Sequence, residues 1–438
     1  MITGIIVGAG HRALAYAELA KIKGESLKIV GVADPQPERR KYTREYFSFG
    51  EDMCFESAEE LAAKGKLADV IINGTMDQQH VDTAIPLLEA GYDMLLEKPF
   101  AVNEAELQRL AEAVKRTGRK VMICHVLRYA PFYAEIKKRI LNGEIGRILN
   151  IQTAEHVSYH HFATCYVRGK WSKHSECGAS SLLAKCCHDI DLITWFKSGV
   201  EPVSVDSMGG INFFNAANAP ANSGKYCLID CPLEHTCDFS VRRLHLNNPI
   251  RWRSYIWPKS AYCPEARTPE YREAALKDPS HSHARCVWKC DNDQPDTQAV
   301  MITFADGTVA THTMAANTAR PLRKVHIVGT EGEIEGVFDD NKFIIRHRDL
   351  TPGPKEYSEE VVDLGNMGDT TGAFGDHGGG DLRLAMDFVE FVAGGTPSIS
   401  CTQLSDSING HLIVFAADTA LQDEKRQFYK DGKFSPRS

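Results

Sequence analysis

Two short stretches carry residue types able to move a proton and to steady a growing negative charge. The first is Glu97-Lys98-Pro99, which follows the apolar run Asp93-Met94-Leu95-Leu96. A lysine at a strand end can donate to a substrate hydroxyl and favour its alkoxide while a hydride departs. Pro99 fixes the turn, through a cis or a trans bond, and so aims Lys98. A surface lysine after a strand would carry the same tripeptide. The second stretch runs from Leu182 through Ala184, Lys185, Cys186, Cys187, His188 and Asp189 to Leu192, with apolar residues at helical spacing. Lys185, His188 and Asp189 lie three or four positions apart and share one stripe. His188 can act as a general base near neutral pH, and a lysine in contact would depress its pKa and keep it neutral. A hydrogen-bonded core histidine is the alternative, and Lys185 on an otherwise apolar helix favours catalysis. Asp189 is read as a substrate contact beside His188.

Such chemistry needs an acceptor for the hydride, and the first forty residues supply its binding pattern. Ile2-Thr3-Gly4-Ile5-Ile6-Val7 is an apolar run, Gly8-Ala9-Gly10-His11-Arg12-Ala13 follows, and a second run from Leu27 to Ala33 ends in Asp34. Strand, glycine turn, helix, strand and acid form the dinucleotide fingerprint, with Ala13 in place of the third glycine. Gly8 permits the tight turn, and Gly10 lets the backbone approach a pyrophosphate at a helix N-terminus. Asp34 is placed to accept from the adenosine ribose hydroxyls and to repel a 2′-phosphate, so NAD is expected over NADP.

The alternation of strand and helix continues to Cys124. Parallel sheets bind ligands outside the carboxyl ends of their strands, which puts Gly8 to Arg12, Asp34, Thr75 and Glu97-Lys98-Pro99 on one edge. The expected first domain is therefore residues 1–124, a parallel doubly wound α/β unit. Residues 125–438 change in texture: a helix over Pro131 to Leu141, a strand over Leu149 to His156, and alternating runs after Ala299 predict a large, mostly antiparallel sheet with helices on one face. His125, Arg128 and Tyr129, which leave the last strand of the first domain, are candidate substrate contacts. So are Tyr159 and Arg168, upstream of the His188 helix, and His377 in a glycine-rich helix approach. Trp171 is assigned to the cofactor side. Arg, Tyr and His around one pocket suit a sugar.

The chain has 438 residues, enough for two domains with proper cores. Its 50 Lys and Arg stand against 58 Asp and Glu, a net charge of −8 without a basic run, so nucleic acid and anionic membranes are not expected partners. No apolar stretch approaches a membrane span, and the chain enters a strand at once, so a cytoplasmic location is expected. Thirteen cysteines, an odd number, argue against a disulfide framework there. Cys54, Cys124 and Cys401 read as small buried hydrophobes. Cys227, Cys231 and Cys237, with Cys263, Cys286 and Cys290 further on, lie in a loop-like insertion at about 205–298. Cys227, Cys231, Cys237 and Cys290 can furnish four tetrahedral ligands for a structural zinc, against the alternative of free thiols.

Taken together, Gly8-Ala9-Gly10, Thr75-Met76-Asp77-Gln78-Gln79-His80, Glu97-Lys98-Pro99, Gly143-Glu144-Ile145-Gly146 and the Leu182-to-Asp191 helix resemble the Gfo/Idh/MocA oxidoreductases over essentially the whole chain. The resemblance implies a Rossmann domain and a C-terminal α/β domain whose open sheet face forms the substrate site and often an oligomer interface, here of a homodimer or homotetramer. It implies that Lys98 contacts the reacting hydroxyl, that His188 is the acid/base, and that Thr75, His80 and Glu97 line the cofactor. Two positions depart from the family pattern. The acid four residues before the histidine is Ala184, with Lys185 one residue on, and Cys177-Gly178-Ala179 replaces a glycine cluster. The expected activity is NAD-linked oxidation or reduction of a secondary hydroxyl of a sugar or glycoside. An NAD-recycling glycosidase that oxidises, eliminates and re-reduces is the first alternative, and a non-catalytic NAD-binding regulator the second.

Overall fold

The computed structural model describes residues 1–365 and 379–436. Six short apolar runs form β1 (Ile2–Val7), β2 (Leu27–Ala33), β3 (Cys54–Phe55), β4 (Val70–Asn73), β5 (Asp93–Leu96) and β6 (Val121–Ile123). They lie in the order β3-β2-β1-β4-β5-β6, and every pairing is parallel. Helices cover both faces, which is why these strands read as unbroken apolar runs rather than alternating ones. The chain reverses direction across the sheet between β1 and β4, the crevice where such folds bind ligands. The first helix, α1 (His11–Ala17), leaves directly from the glycine turn after β1.

The second sheet has ten strands: β7 (Ile148–Ser158), β8 (Pro202–Gly210), β9 (Thr297–Phe304), β10 (Val309–Thr318), β11 (Leu322–Gly329), β12 (Gly332–Val337), β13 (Lys342–Arg348), β14 (Tyr357–Asp363), β15 (Gln427–Lys430) and β16 (Lys433–Pro436). Their order is β14-β13-β12-β11-β7-β10-β9-β8-β15-β16, antiparallel except where β10 meets β7. The strict alternation in β9 shows how one face is selected. Gln298, Val300, Ile302 and Phe304 point into the core, whereas Ala299 and Met301 face outward. Against the inner face lie α2 (Ser181–Phe196) and α4 (Leu404–Asp423), separated in the chain by α3 (Gly380–Val392). Ser180 caps α2 by accepting from Leu183 N at 3.0 Å, and every residue of α2 but Lys185 is buried, its polar ones included.

The C-terminal part does not stay within its own sheet. Ile123 N donates to Thr402 O at 2.8 Å, so a returning segment covers the β6 edge, and Leu384, Ala385 and Phe388 of α3 join the core that holds Tyr16 and Met122. The expected insertion separates β8 from β9, two strands that pair directly. Asp296 fastens its base by accepting from the backbone N–H groups of Asn212, Phe213 and Phe214 at 2.9, 2.7 and 2.9 Å. Among the described residues, no helix is long and apolar enough to cross a membrane.

Candidate active site

The cofactor edge begins at Gly8, whose φ is +74°; a Cβ there would lie 2.7 Å from Thr75 N, so β1 and β4 approach each other only because the residue is glycine. Gly10 caps α1 without a side-chain acceptor, which leaves the first-turn N–H groups as donors for a pyrophosphate. Gly8→Ala should therefore lower NAD affinity by at least about tenfold, followed by intrinsic fluorescence quenching; unchanged affinity would remove this turn from the binding site. Asp34 is 2% exposed. Its two oxygens accept from Ala9 N at 2.9 Å and Gln36 N at 2.8 Å, which orients the carboxylate at the end of β2. These features fit a dinucleotide.

Glu97 ties this edge together. Its Oε1 accepts from Tyr16 Oη at 2.7 Å and pairs with Arg12 Nε at 3.1 Å, while Oε2 accepts from Lys98 N at 2.8 Å. Burial alone would raise its pKa, but the Arg12 and Lys98 cations outweigh it and hold the carboxyl below its usual range. Arg12 also pairs with Asp381 of α3 at 2.6 Å, so it joins the glycine turn to the C-terminal part. His80 is buried, its Nδ1 2.7 Å from Pro99 O and its Nε2 3.2 Å from Thr75 O. It thus clamps the two loops that follow β4 and β5. The Lys98–Pro99 bond is cis.

Lys98 crosses from this edge to α2. Its Nζ donates to Ala184 O at 2.8 Å, one turn before His188 on the same helical stripe. His188 is buried, and its ring lies edge-on to His125 with centroids 5.8 Å apart. Burial first, then the Arg128 and Lys98 cations, push the His125 pKa well below its usual value, so that ring is neutral.

Lys185 does not stand free beside His188. It pairs with Glu155 of β7 at 3.2 Å, and Glu155 also meets Arg323 of β11 at 2.6 Å. Arg323 reaches Asp189 Oδ1 at 3.0 Å, so Asp189 stands in a buried ion pair. Cys186, Asp189 and His312 place ligand atoms within 4.8 Å of one another. The Arg323 guanidinium already supplies the positive charge there, so no metal is assigned to this group.

Three other candidates have polar groups taken up by partners within the fold. Arg128 forms two bonds to Asp191, 2.7 and 2.6 Å, and is 1% exposed. Tyr129 Oη donates to Asp387 at 2.7 Å. Arg168 is fully buried and turned toward the cysteine cavity of the insertion. Trp171 remains at the cofactor edge, where Nε1 donates to Asp77 at 2.7 Å. Tyr159 packs on His160 and Phe239. His377 lies outside the described residues.

The insertion adds residues that motif reading missed. Trp252 stacks on His161 with centroids 3.9 Å apart and donates from Nε1 to His160 at 2.8 Å. Tyr255 Oη lies 3.2 Å from His11 Nε2, and Tyr262 donates to Gln36 at 3.2 Å, so the insertion reaches over both the glycine turn and the residue beside Asp34. Burial, reinforced by Lys185, pushes the His161 pKa well down; burial and Arg12 take His11 to about 3. The wall near the two lysines is thus aromatic and uncharged. Its only early signal was a concentration of Trp, Tyr and His in loops. Of the cysteine set, Cys227, Cys231 and Cys237 line one cavity, but the fourth is Cys286; Cys290 instead donates its thiol to Cys286 O at 3.2 Å.

Comparison with known proteins agrees with this architecture. Residues 2–125 match the model of an oxidoreductase family with an NAD-binding Rossmann fold, and residues 137–402 match that family's C-terminal alpha/beta domain. The oxidoreductase YteT of Bacillus subtilis is 23% identical over 82% of this chain and 81% of its own. Inositol 2-dehydrogenase of Salmonella typhimurium is 36% identical over 20% of this chain and 26% of its own, a local match. Among solved structures, levoglucosan dehydrogenase in complex with NADH and levoglucosan superposes with a TM-score of 0.65 at 19% identity, covering 98% of this chain and 99% of that one. The WlbA dehydrogenase of Chromobacterium violaceum with NADH and UDP-GlcNAcA gives 0.64 at 14% identity, covering 98% and 96%. These likenesses establish the fold, and the two family matches establish the lineage: the chain belongs to the Gfo/Idh/MocA oxidoreductases, an NAD-binding Rossmann domain joined to the family's C-terminal domain.

Proposed function

We propose that the protein is an NAD-dependent dehydrogenase acting on a secondary hydroxyl of a sugar or glycoside. The observation that carries this reading is the bond from Lys98 Nζ to Ala184 O, because it brings Lys98 to the helical stripe of His188 at the cofactor edge. NAD, when bound, supplies the hydride acceptor. His188 takes the hydroxyl proton, and Lys98 donates to the substrate oxygen as its charge grows. His80 and Glu97 hold the loop that carries Lys98. The uncharged rings of His161, Trp252 and Tyr255 offer a stacking wall for a sugar ring. The sugar ligands of the levoglucosan and WlbA dehydrogenases support the substrate class.

Asp34 carries the preference for NAD. Arg39, 3.5 Å from it, is the cation that would otherwise favour a 2′-phosphate. Asp34→Ala should weaken NAD by about tenfold, roughly 1.4 kcal/mol, and strengthen NADP in parallel titrations. Unaltered affinities for both would end the specificity argument.

A redox-neutral glycosidase is the second reading, favoured by two observations. Ala184 replaces the usual acid, and Tyr255 and Tyr262 reach over the cofactor edge, which suits a dinucleotide kept between turnovers. Aglycone release without accumulation of NADH would establish it. We assign the outward sheet face, with Met208 and Met301 exposed, to the contact of a homodimer or homotetramer. The thirteen free thiols suit the cytoplasm.

A further inference from the structure

The insertion between Gly210 and Thr297 is long for the core that supports it. It forms no strand; its separate buried cluster is only Cys227, Val241, Ile256, Trp257 and Leu276, and Phe214, Phe239, Leu244, Cys286, Val287 and Trp288 pack into the main core instead. Segments with so small a core of their own are often stapled by a disulfide or a metal, and every cysteine here is free. Cys227, Cys231, Cys237 and Cys286 line one small cavity together with Arg168. Arg168 is 0% exposed. It donates to Arg285 O at 2.8 Å, Phe239 O at 2.9 Å and Cys227 Sγ at 3.5 Å, and its Nη1 has no partner.

Among the described residues no carboxylate pairs with this guanidinium. Glu234, at the same cavity, is taken by Arg242 at 3.3 Å and His235 at 3.0 Å. A buried cation facing only neutral groups is costly. Four thiolates around one Zn²⁺ carry two negative charges in excess, and so would supply the anion that Arg168 lacks.

We propose that Cys227, Cys231, Cys237 and Cys286 bind a structural zinc ion that pins the insertion, a role separate from the hydride chemistry. On binding, each S–H breaks, each sulfur forms a bond to zinc, and the protons leave to solvent. No three of these sulfurs lie within 4.8 Å of one another, so binding requires the thiols to turn from their present rotamers toward the cavity. The pinned insertion holds Arg168, and through the following Gly169 and Lys170 it fixes Trp171 against Asp77 at the cofactor edge.

The test is metal analysis of the tag-free full-length protein, purified without chelator from zinc-supplied medium. About one zinc per chain is expected. Cys237→Ser and Cys286→Ser should each lower that content at least about tenfold, while Cys54→Ser and Cys290→Ser retain it. Should the first two variants fail to fold, cobalt-substituted wild-type protein still decides, since thiolate-to-cobalt charge transfer with tetrahedral ligand-field bands is expected. Zinc below about a tenth of an equivalent, an octahedral cobalt spectrum, a disulfide among these four cysteines, or full zinc in Cys237→Ser would each overturn the assignment.

Discussion

Lys98→Ala and His188→Ala are each expected to lower kcat by about 10² to 10⁴-fold while NAD binds nearly as before. In the proposed mechanism the two side chains act on opposite partners of one O–H bond. His188 needs to receive the proton, and Lys98 needs to face the oxygen that loses it. Lys98 reaches this point from the β5 end by donating to Ala184 O, whereas the glycine turn and Asp34, proposed to hold the dinucleotide, follow β1 and β2. Removing Lys98 therefore leaves the groove intact. Steady-state kinetics beside NAD titration distinguishes the outcomes: a loss confined to kcat supports direct roles, and retained turnover in either variant would remove that residue from the mechanism.

Arg128→Ala is expected to destabilise the fold by about 3 to 5 kcal/mol rather than to impair substrate binding. Arg128 is bidentate with Asp191, and both are nearly inaccessible. Burial already pushes the Asp191 pKa up, and the Arg128 charge is the main force opposing it. Removal leaves a carboxylate without a partner in the core that joins α2 to the returning C-terminal segment. Arg128→Lys keeps the charge but loses the fork, so an intermediate loss is expected. Urea denaturation measures both, and a stable Arg128→Ala protein with only a raised KM would restore Arg128 to the substrate site.

The contrast between these residues explains what was legible in the chain. The places of Gly8, Asp34 and Lys98 at the ends of parallel strands were readable because strand ends, glycine turns and acids have positional meaning in such a sheet. The α2 helix was readable because its apolar spacing is continuous, and the β9–β10 hairpin because its alternation is strict. Arg128, Tyr129, Arg168 and Asp189 were read as pocket residues because polar groups near a motif are usually placed for ligands. Their partners, Asp191, Asp387, the Phe239 and Arg285 carbonyls and Arg323, are distant in sequence, and spacing alone says nothing of such pairings. Glu155 and Arg323 were missed for the same reason, each being one polar residue in a strand. Cys286 was passed over for Cys290 because the two are four residues apart, and only the path of the loop decides which thiol enters the cavity.

One measurement tests the central claim most directly: a panel of sugars and glycosides incubated with the protein and NAD, with reduced nicotinamide and released aglycone followed in the same samples. NADH formed in proportion to oxidised sugar is expected, abolished by Lys98→Ala and His188→Ala. Aglycone release with no net NADH, or NADH formation that survives either substitution, would contradict it.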